Sequence, residues 1–172
     1  WKQAKPVAGK AVLLSTVGVL LTAVTTGFFC YGVLHFRFWE SMLIGALIGS
    51  TDAASVFSVL RSKRLSLRYN TASLLEVESG SNDPVACMLT LIILSIMSGG
   101  TVKNLIPLVI SQVVVGIMIG TLIAMTSIYL IRHANFEIES FYVIFIIAIA
   151  IISYSLSEWM GGNGYLSVYI SG

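Results

Sequence analysis

The sequence predicts an all-α membrane protein built from antiparallel transmembrane helices. Of its 172 residues, 56% are hydrophobic and 10% are charged, and the mean hydropathy is +0.91, whereas a soluble domain carries about 25% charged residues. Several stretches reach the roughly 20 mostly apolar residues that a helix needs to cross a bilayer core. They lack the charged face found on helices of soluble proteins, so a soluble core is not expected.

Five such stretches follow one another, and a sixth begins near the end of the chain. We expect spans at approximately 11–34, 41–60, 70–98, 105–131 and 140–160, with a further one starting at 165. Short loops join them, which predicts antiparallel neighbours within one membrane domain, 1–172. The segments "GALIG" and "GIMIG" are small-xxx-small patterns that predict close helix packing. Because the chain starts without Met and stops inside an apolar stretch, we expect it to be part of a longer protein.

Basic residues lie mainly on one predicted side of the membrane. Eight of the ten fall there, namely Lys2, Lys5, Lys10, Arg61, Lys63, Arg64, Arg68 and Arg132. Cytoplasmic loops carry an excess of Lys and Arg, so residues 1–10, 61–69 and 132–139 are predicted to be cytoplasmic in a multi-pass protein of the cell (inner) membrane. The net charge of +2 follows this topology and forms no basic stripe, so binding of nucleic acid is not expected.

Two carboxylates fall near the middle of predicted spans. At 1.5 Å per residue, Asp52 lies ~17 Å along its helix and Asp83 lies ~20 Å along the next, which runs in the opposite direction. Both therefore reach a similar depth, where charged residues are costly and usually face a cavity or a partner. No role is predicted for the acids near span ends; these are Glu40, Glu137, Glu139 and Glu158.

Helix-weakening residues surround both carboxylates. Asp52 lies in "IGSTDAAS", where hydroxyl side chains compete for backbone groups, so we predict that the helix unwinds near Ser50–Asp52 and frees carbonyls for a cation. Asp83 precedes Pro84, which cannot donate to the carbonyl of Gly80, so we expect an interruption of the third span there.

Helical spacing sorts the polar residues of the third span into two stripes. Glu76, Ser79, Gly80, Asp83, Cys87 and Thr90 follow 3–4 spacing and form the first. Glu78 and Asn82 form the second, because Glu78 is roughly 140° around the helix from Asp83. A buried Glu78 needs a cation of its own, so we predict a structural ion pair with a partner outside this sequence.

Two carboxylates at one depth suit the exchange of a cation for a proton. A proton and a cation each neutralise a membrane carboxylate, and only one of them can occupy it at a time. Either loaded form crosses a barrier that the empty, charged form does not. The alternative is that each acid is a capped or paired structural group. Matched depth on adjacent helices, each beside a helix breaker, favours the functional interpretation.

At "GSTDAASVFSVL" and "ESGSNDP" the chain resembles the monovalent cation:proton antiporters, the sodium/proton and potassium/proton exchangers. The family pattern is Thr-Asp in one broken helix and Glu-Ser-x-x-Asn-Asp in the next, matched here by Thr51-Asp52 and by the run from Glu78 to Asp83. "GGNGYLSVYISG" resembles a later family helix, and the likeness is closest to the bacterial potassium/proton branch. The family commonly has Pro where Ala53 stands, so the break depends here on weaker local chemistry.

The resemblance implies a role for each matching residue. Asp83 would carry the exchanged K⁺, Na⁺ or H⁺, Asp52 would complete the site, and Thr51 and Ser79 would add oxygen ligands. Asn82, where some relatives have a second Asp, implies electroneutral exchange. The implied architecture is part of an inverted-repeat transporter bundle with a discontinuous helix near the midplane. Alternating access, a homodimer and no cofactor beyond the transported ions are also implied.

Three other classes of membrane protein fit the sequence less well. An intramembrane aspartyl protease also uses two membrane aspartates, but its second Asp lies in a Gly-x-Gly-Asp context, whereas Asp83 follows Ser81-Asn82. A channel would show pore loops or rings of charge, and neither is visible. A non-transporting membrane subunit would use its polar residues for packing alone. We therefore predict a transporter and not an enzyme.

Overall fold

The described part of the chain is helical. A computed structural model describes residues 7–63, 71–100, 102–133 and 139–172, and its regular secondary structure over these ranges consists of helices without strands. The chain divides into two compact units, Trp1–Gly99 and Gly100–Gly172. The all-α prediction is confirmed. That 1–172 forms a single transport domain stays a prediction.

The helices follow the predicted spans within a few residues, with one exception. In the first unit they are α1 (Ala8–Gly32, with a π-helical turn at Leu14–Gly18), α2 (Phe38–Ile48), α3 (Ala53–Ser62) and α4 (Thr71–Met97). In the second unit they are α5 (Val102–His133), α6 (Glu139–Trp159) and α7 (Gly164–Ser171). Within the described residues, four helices are long and apolar enough to cross a membrane: Ala8–Gly32, Thr71–Met97, Leu105–His133 and Phe141–Trp159.

The predicted second span, 41–60, is the exception, because the structure divides it into α2 and α3. Helix α2 ends at Ile48, Gly49 forms a turn, and Ser50–Asp52 are non-helical before α3 begins at Ala53. The predicted unwinding at Ser50–Asp52, and with it the discontinuous helix, is confirmed. Each half is too short to span a bilayer core by itself.

The expected interruption at Pro84 is wrong. Helix α4 continues from Thr71 to Met97 with Pro84 inside it and buried. Proline removes one backbone donor from the helical ladder. In membrane helices such a loss is tolerated when neighbouring groups satisfy the carbonyl that is left. The polar residues before Pro84 therefore stay in helical register, which places them on defined faces of α4.

Side chains are distributed as expected for helices in lipid. Among the described residues, the largest fully buried side chains are polar: Asn82, Asn163, Ser15, Ser41, Ser153, Ser157 and Ser167. Large apolar side chains lie on the outside, and Leu21, Ile144 and Met125 are examples. Lipid tails are as apolar as leucine, so membrane helices bury small residues to approach closely and keep large apolar residues outward.

Helices α1 and α2 pack antiparallel through glycine, as "GALIG" predicts. A Cβ added to Gly45 would lie 2.1 Å from the Ala23 carbonyl oxygen and 3.0 Å from the Gly27 nitrogen. A Cβ at Gly27 would in turn lie 2.7 Å from the Met42 methyl carbon. This backbone-to-backbone approach holds α2 in place immediately before the helix break.

We expect Gly45→Ala to destabilise the protein by about 1–3 kcal/mol, the usual cost of overpacking. The new methyl group meets backbone atoms of α1, which cannot rotate away as a flexible side chain would. Thermal unfolding in detergent, followed by the loss of the monodisperse peak, measures the effect. Gly9→Ala is the matched control, because, apart from the neighbouring backbone of its own helix, no atom of the described residues lies within 4 Å of a Cβ there. Equal stability of the two variants would contradict this packing.

In the second unit, "GIMIG" serves the same purpose. A Cβ at Gly116 would lie 3.0 Å from the Asn163 carbonyl, and one at Gly120 would lie 2.7 Å from the Ser167 carbonyl, so α5 and α7 are in close contact. The predicted gap between the span ending at 160 and the one starting at 165 is confirmed, because α6 ends at Trp159 and α7 begins at Gly164. Asn163 caps α7 by accepting from the Leu166 nitrogen at 2.9 Å.

Glu158, for which the sequence predicts no role, takes part in this second break. Its Oε1 accepts a hydrogen bond of 3.0 Å from the Gly164 nitrogen. A carboxylate at the first turn of a helix accepts hydrogen bonds from N–H groups that have no partner within the helix. It is also attracted by the positive end of the helix dipole. Glu158 therefore stabilises the start of α7.

The predicted cytoplasmic segments lie largely outside the described residues. Residues 1–6, 64–69 and 134–138 of these segments are not among those that the structure describes. The topology inferred from their basic residues stays a prediction, and Glu137, which lies near a predicted span end, is also outside the described residues.

Candidate ion-binding site

The break between α2 and α3 lies directly against α4. Ser50 donates from its Oγ to the Asp83 carboxylate, and Thr51 donates from its Oγ1 to Glu78 Oε1 at 3.2 Å. Ser79 donates from its Oγ to the Thr51 carbonyl oxygen at 3.0 Å. Side chains from the middle of α4 are thus bound to two consecutive residues of the break. The structure brings the two sequence motifs together.

Asn82 is the side chain that ties the break to α4. It is 0% exposed, and its amide nitrogen lies 3.0 Å from the Thr51 carbonyl oxygen, 2.6 Å from Thr51 Oγ1 and 3.3 Å from Glu78 Oε1. Its amide oxygen lies 3.3 Å from Ser50 Oγ, whose single hydrogen can be directed to it or to Asp83. The orientation of the amide follows from its neighbours, because the carbonyl and the carboxylate only accept and the serine hydroxyl can donate.

The carbonyl of Thr51 lies in the break, outside the helices α2 and α3. It accepts from both Ser79 and Asn82, which occupies the two lone pairs that a carbonyl oxygen offers. In the structure this carbonyl therefore binds side chains of α4. Coordination of a cation by a freed carbonyl, predicted from the sequence, would require one of these donors to be displaced at Thr51.

Asp52 begins α3. Its Oδ1 accepts from the Ala54 nitrogen at 2.8 Å, and its Oδ2 lies 3.2 Å from the Ser55 hydroxyl, which donates to it. This is the arrangement of an N-capping aspartate, which satisfies helix N–H groups that have no partner within the helix. The cap explains how the second half of the helix restarts without the proline that commonly follows Thr-Asp in the family. The spacing of Asp52 and Ser55, three residues apart, is a sequence signal for this N-cap that the sequence analysis did not use.

Asp83 lies close to the middle of the 27-residue helix α4. Twelve residues separate it from Thr71, which is ~18 Å along the helix axis. Asp83 and Asp52 are exposed on the surface of the described segment, whereas Asn82, the residue before Asp83, is buried. We call the contact between the break, Ser50–Asp52, and the middle of α4 the crossing. Asp52 lies at the end of the break and Asp83 is bound to Ser50 at its beginning, so both carboxylates belong to the crossing.

Glu78 lies on the stripe predicted for it. The hydrogen bond from Asn82, four residues on, confirms that Glu78 and Asn82 share a face of α4. That face also points at the break, because Thr51 donates to Glu78. The Thr51 hydroxyl, predicted from the family resemblance as a cation ligand, is used here to bind Glu78. The predicted ion pair of Glu78 with a cationic partner outside this sequence stays a prediction.

A cavity of about 370 Å³ lies beside the break in the first unit. Its lining comprises Leu14, Gly18, Val19, Thr22, Gly49, Thr51, Leu74, Leu75 and Glu78. The π-helical turn of α1, at Leu14–Gly18, forms one wall, and such turns are frequent at functional sites. The sequence reasoning assigned α1 no part in the site, since a π turn leaves no clear mark in an uncharged apolar stretch.

The fold and the contact between the break and α4 define a class: a multi-pass helical membrane protein in which the hydroxyl side chains of a broken helix bind carboxylates in the middle of a neighbouring helix. Residues 1–172 match the family described as "Sodium/hydrogen exchanger, transmembrane". The chain therefore belongs to the sodium/hydrogen exchanger family, and the resemblance drawn from the two motifs is confirmed.

Several curated relatives are similar over most of the chain. The K(+)/H(+) antiporter NhaP of Alkalimonas amylolytica is 32% identical over 164 residues, which are 94% of this chain and 28% of that protein. The K(+)/H(+) antiporter NhaP2 of Shewanella oneidensis is 33% identical over 166 residues, again 94% and 28%. Sodium/hydrogen exchanger 8 of Arabidopsis thaliana is 25% identical over 179 residues, 99% of this chain and 23% of that protein. The chain thus spans roughly a quarter of the length of these relatives.

Proposed function

We propose that the complete protein exchanges a monovalent cation, K⁺ or Na⁺, for protons across a cell membrane. The observation that carries the proposal is the crossing itself, where Ser50 and Thr51 of the break bind Asp83 and Glu78 near the middle of α4. The names of the relatives support K⁺ as the cation. Family membership does not favour an intramembrane protease or a non-transporting subunit.

In this proposal Asp83 is the group that holds either ion. A carboxylate in a low-dielectric setting is costly while charged and empty, and a proton or a cation relieves that cost. Competition of the two ions for one carboxylate couples their movement in opposite directions. Asp52, Ser79 and the oxygen atoms of Thr51 complete the cation site when its bonds rearrange. Asn82, being neutral, adds no further charge, which fits one cation exchanged for one proton.

The remaining parts of the proposal follow from the resemblance. Alternating access moves the bundle that carries the crossing relative to the rest of the transporter, so that Asp83 faces each side of the membrane in turn. The complete protein acts as a homodimer in the cell (inner) membrane. It needs no cofactor besides the transported ions.

Vesicles containing the complete purified protein test the function. With the interior made acidic and reported by a pH-sensitive dye, addition of K⁺ or Na⁺ is expected to release internal protons. Choline at equal ionic strength is expected to have no effect. Clamping the membrane potential at different values separates electroneutral from electrogenic exchange. Absence of any cation-dependent proton movement, with the protein inserted and folded, would refute the proposal.

A further inference from the structure

Ser50 provides the hydroxyl group that binds Asp83 in the break, yet it is not among the ion-binding residues that the family resemblance implies. Its Oγ donates to the Asp83 carboxylate and also lies 3.3 Å from the amide oxygen of Asn82. The side chain is half-buried, so bulk water does not replace both contacts freely. Ser50 therefore stands between a group that can change its protonation state and a group that can only accept.

A hydroxyl carries one hydrogen and two lone pairs. While Asp83 is ionised, the hydrogen of Ser50 is best used on the carboxylate, because hydrogen bonds to charged groups are the stronger ones. Once Asp83 is protonated, its own O–H becomes a donor. The Ser50 oxygen can then accept from Asp83 while its hydrogen turns to the Asn82 amide oxygen. Both states of Asp83 remain hydrogen-bonded, and only a hydroxyl rotation is required.

Asn82 makes this rotation of the Ser50 hydroxyl possible because its own side-chain amide cannot exchange the positions of its oxygen and nitrogen. Its amide nitrogen is held by the Thr51 carbonyl, the Thr51 hydroxyl and Glu78, and the side chain is fully buried. Its oxygen therefore stays directed at Ser50 and offers an acceptor in either state. A lysine or arginine at position 50 would lack the lone pair that the protonated state requires, and an alanine would lack both functions.

We propose that Ser50 is a positioning residue for ion exchange, whose hydroxyl keeps Asp83 hydrogen-bonded and oriented in both its protonated and its deprotonated form. The inference rests on the proposed function, since it assigns Ser50 a part in the same site. It adds a proton-responsive relay, from Asp83 through Ser50 to the Asn82 oxygen. The relay needs no cation to be bound.

Transport kinetics give the first test. In vesicles with the complete protein, Ser50→Ala is expected to raise the apparent KM for the cation about tenfold, roughly the value of one hydrogen bond to a charged group. The maximal rate per folded transporter is expected to change less than about twofold, because the conformational step does not use this hydroxyl. Ser50→Thr, which keeps the hydroxyl, is expected to restore the KM.

The control is Ser58→Ala, because the Ser58 hydroxyl donates to the Ser55 carbonyl within α3 and not to α4. Should Ser50→Ala fail to fold, Ser50→Cys gives the same comparison, since a thiol is of similar size and a weak donor. An unchanged KM, or a Ser50→Thr variant as impaired as the variant without a hydroxyl, would overturn the proposal. A purely structural role would lower the amount of folded protein and leave the KM alone.

Infrared difference spectroscopy between acidic and alkaline samples gives the second test, which does not depend on transport. The C=O stretching band of protonated Asp83 is identified by its absence in Asp83→Asn. It is expected to shift in Ser50→Ala and to return in Ser50→Thr. An unshifted band in Ser50→Ala would overturn the relay even if exchange is confirmed. A shifted band in a protein that moves no cations would instead refute the proposed function and leave the relay standing.

Discussion

Replacing Asp83 with asparagine is expected to abolish cation–proton exchange while leaving the protein folded and inserted in the membrane. Asparagine has almost the same shape and still offers an oxygen to the Ser50 hydroxyl that binds Asp83. It can neither take up a proton nor neutralise a cation. Removing a charge from the middle of an apolar helix does not harm insertion. The expected outcome is therefore a normal yield with no cation-dependent proton movement in vesicles.

Glu40→Gln is the matched control for this experiment. Glu40 lies in the first turn of α2, near the end of its predicted span, and is exposed, so its variant is expected to exchange ions at the rate of the unchanged protein. Exchange by Asp83→Asn at that rate would remove Asp83 from the mechanism. Loss of exchange in both variants would show that any lost carboxylate disables the protein, and would leave no special role for Asp83.

Replacing Asn82 with alanine is expected to cost about 2–3 kcal/mol of stability, in the range found when a buried hydrogen-bonding group loses its partner. The substitution strips the Thr51 carbonyl of one of two donors and leaves Glu78 with Thr51 alone at this crossing. It also empties a fully buried position. We expect exchange to fall at least about tenfold, because the break is no longer held against α4 and each 1.4 kcal/mol corresponds to roughly a factor of ten.

Thermal unfolding in detergent and exchange in vesicles measure the two effects on the same preparations. Ser81→Ala is the control, because the Ser81 hydroxyl is bound to the Val77 carbonyl in its own helix and its loss is expected to be nearly neutral. If Asn82→Ala were as stable as Ser81→Ala, other contacts would hold the break against α4, and Asn82 would not be needed for this packing.

Much of the fold could be predicted because lipid imposes simple rules. Length and a mostly apolar composition identify α1, α4, α5 and α6, since a helix must satisfy its own backbone and cover a fixed thickness. The unwinding at Ser50–Asp52 was predictable because glycine and hydroxyl residues at mid-span weaken a helix locally. Pro84 was misleading, because whether a proline ends a membrane helix depends on the neighbours that bind the freed carbonyl.

The candidate site was predictable as a set of residues and not as a set of bonds. Depth alone places Asp52 and Asp83 at one level, and spacing alone places Glu78 with Asn82. Nothing local indicates that the Thr51 hydroxyl binds Glu78, that Ser50 binds Asp83, or that the π turn of α1 reaches the same cavity. These facts depend on how residues far apart in the sequence meet.

The sequence by itself determined which segments are long and apolar enough to cross a membrane, where one of them breaks, and which polar residues lie near the middle of their segments, because each follows from the solvent that a segment meets. Only the tertiary structure decided the hydrogen-bond partners. Asn82 binds the break through Thr51, Asp52 caps the start of α3, and Glu158 binds the first turn of α7. The reason is physical. A hydrogen bond forms only within a narrow range of distances and angles between donor and acceptor, and helix packing sets both.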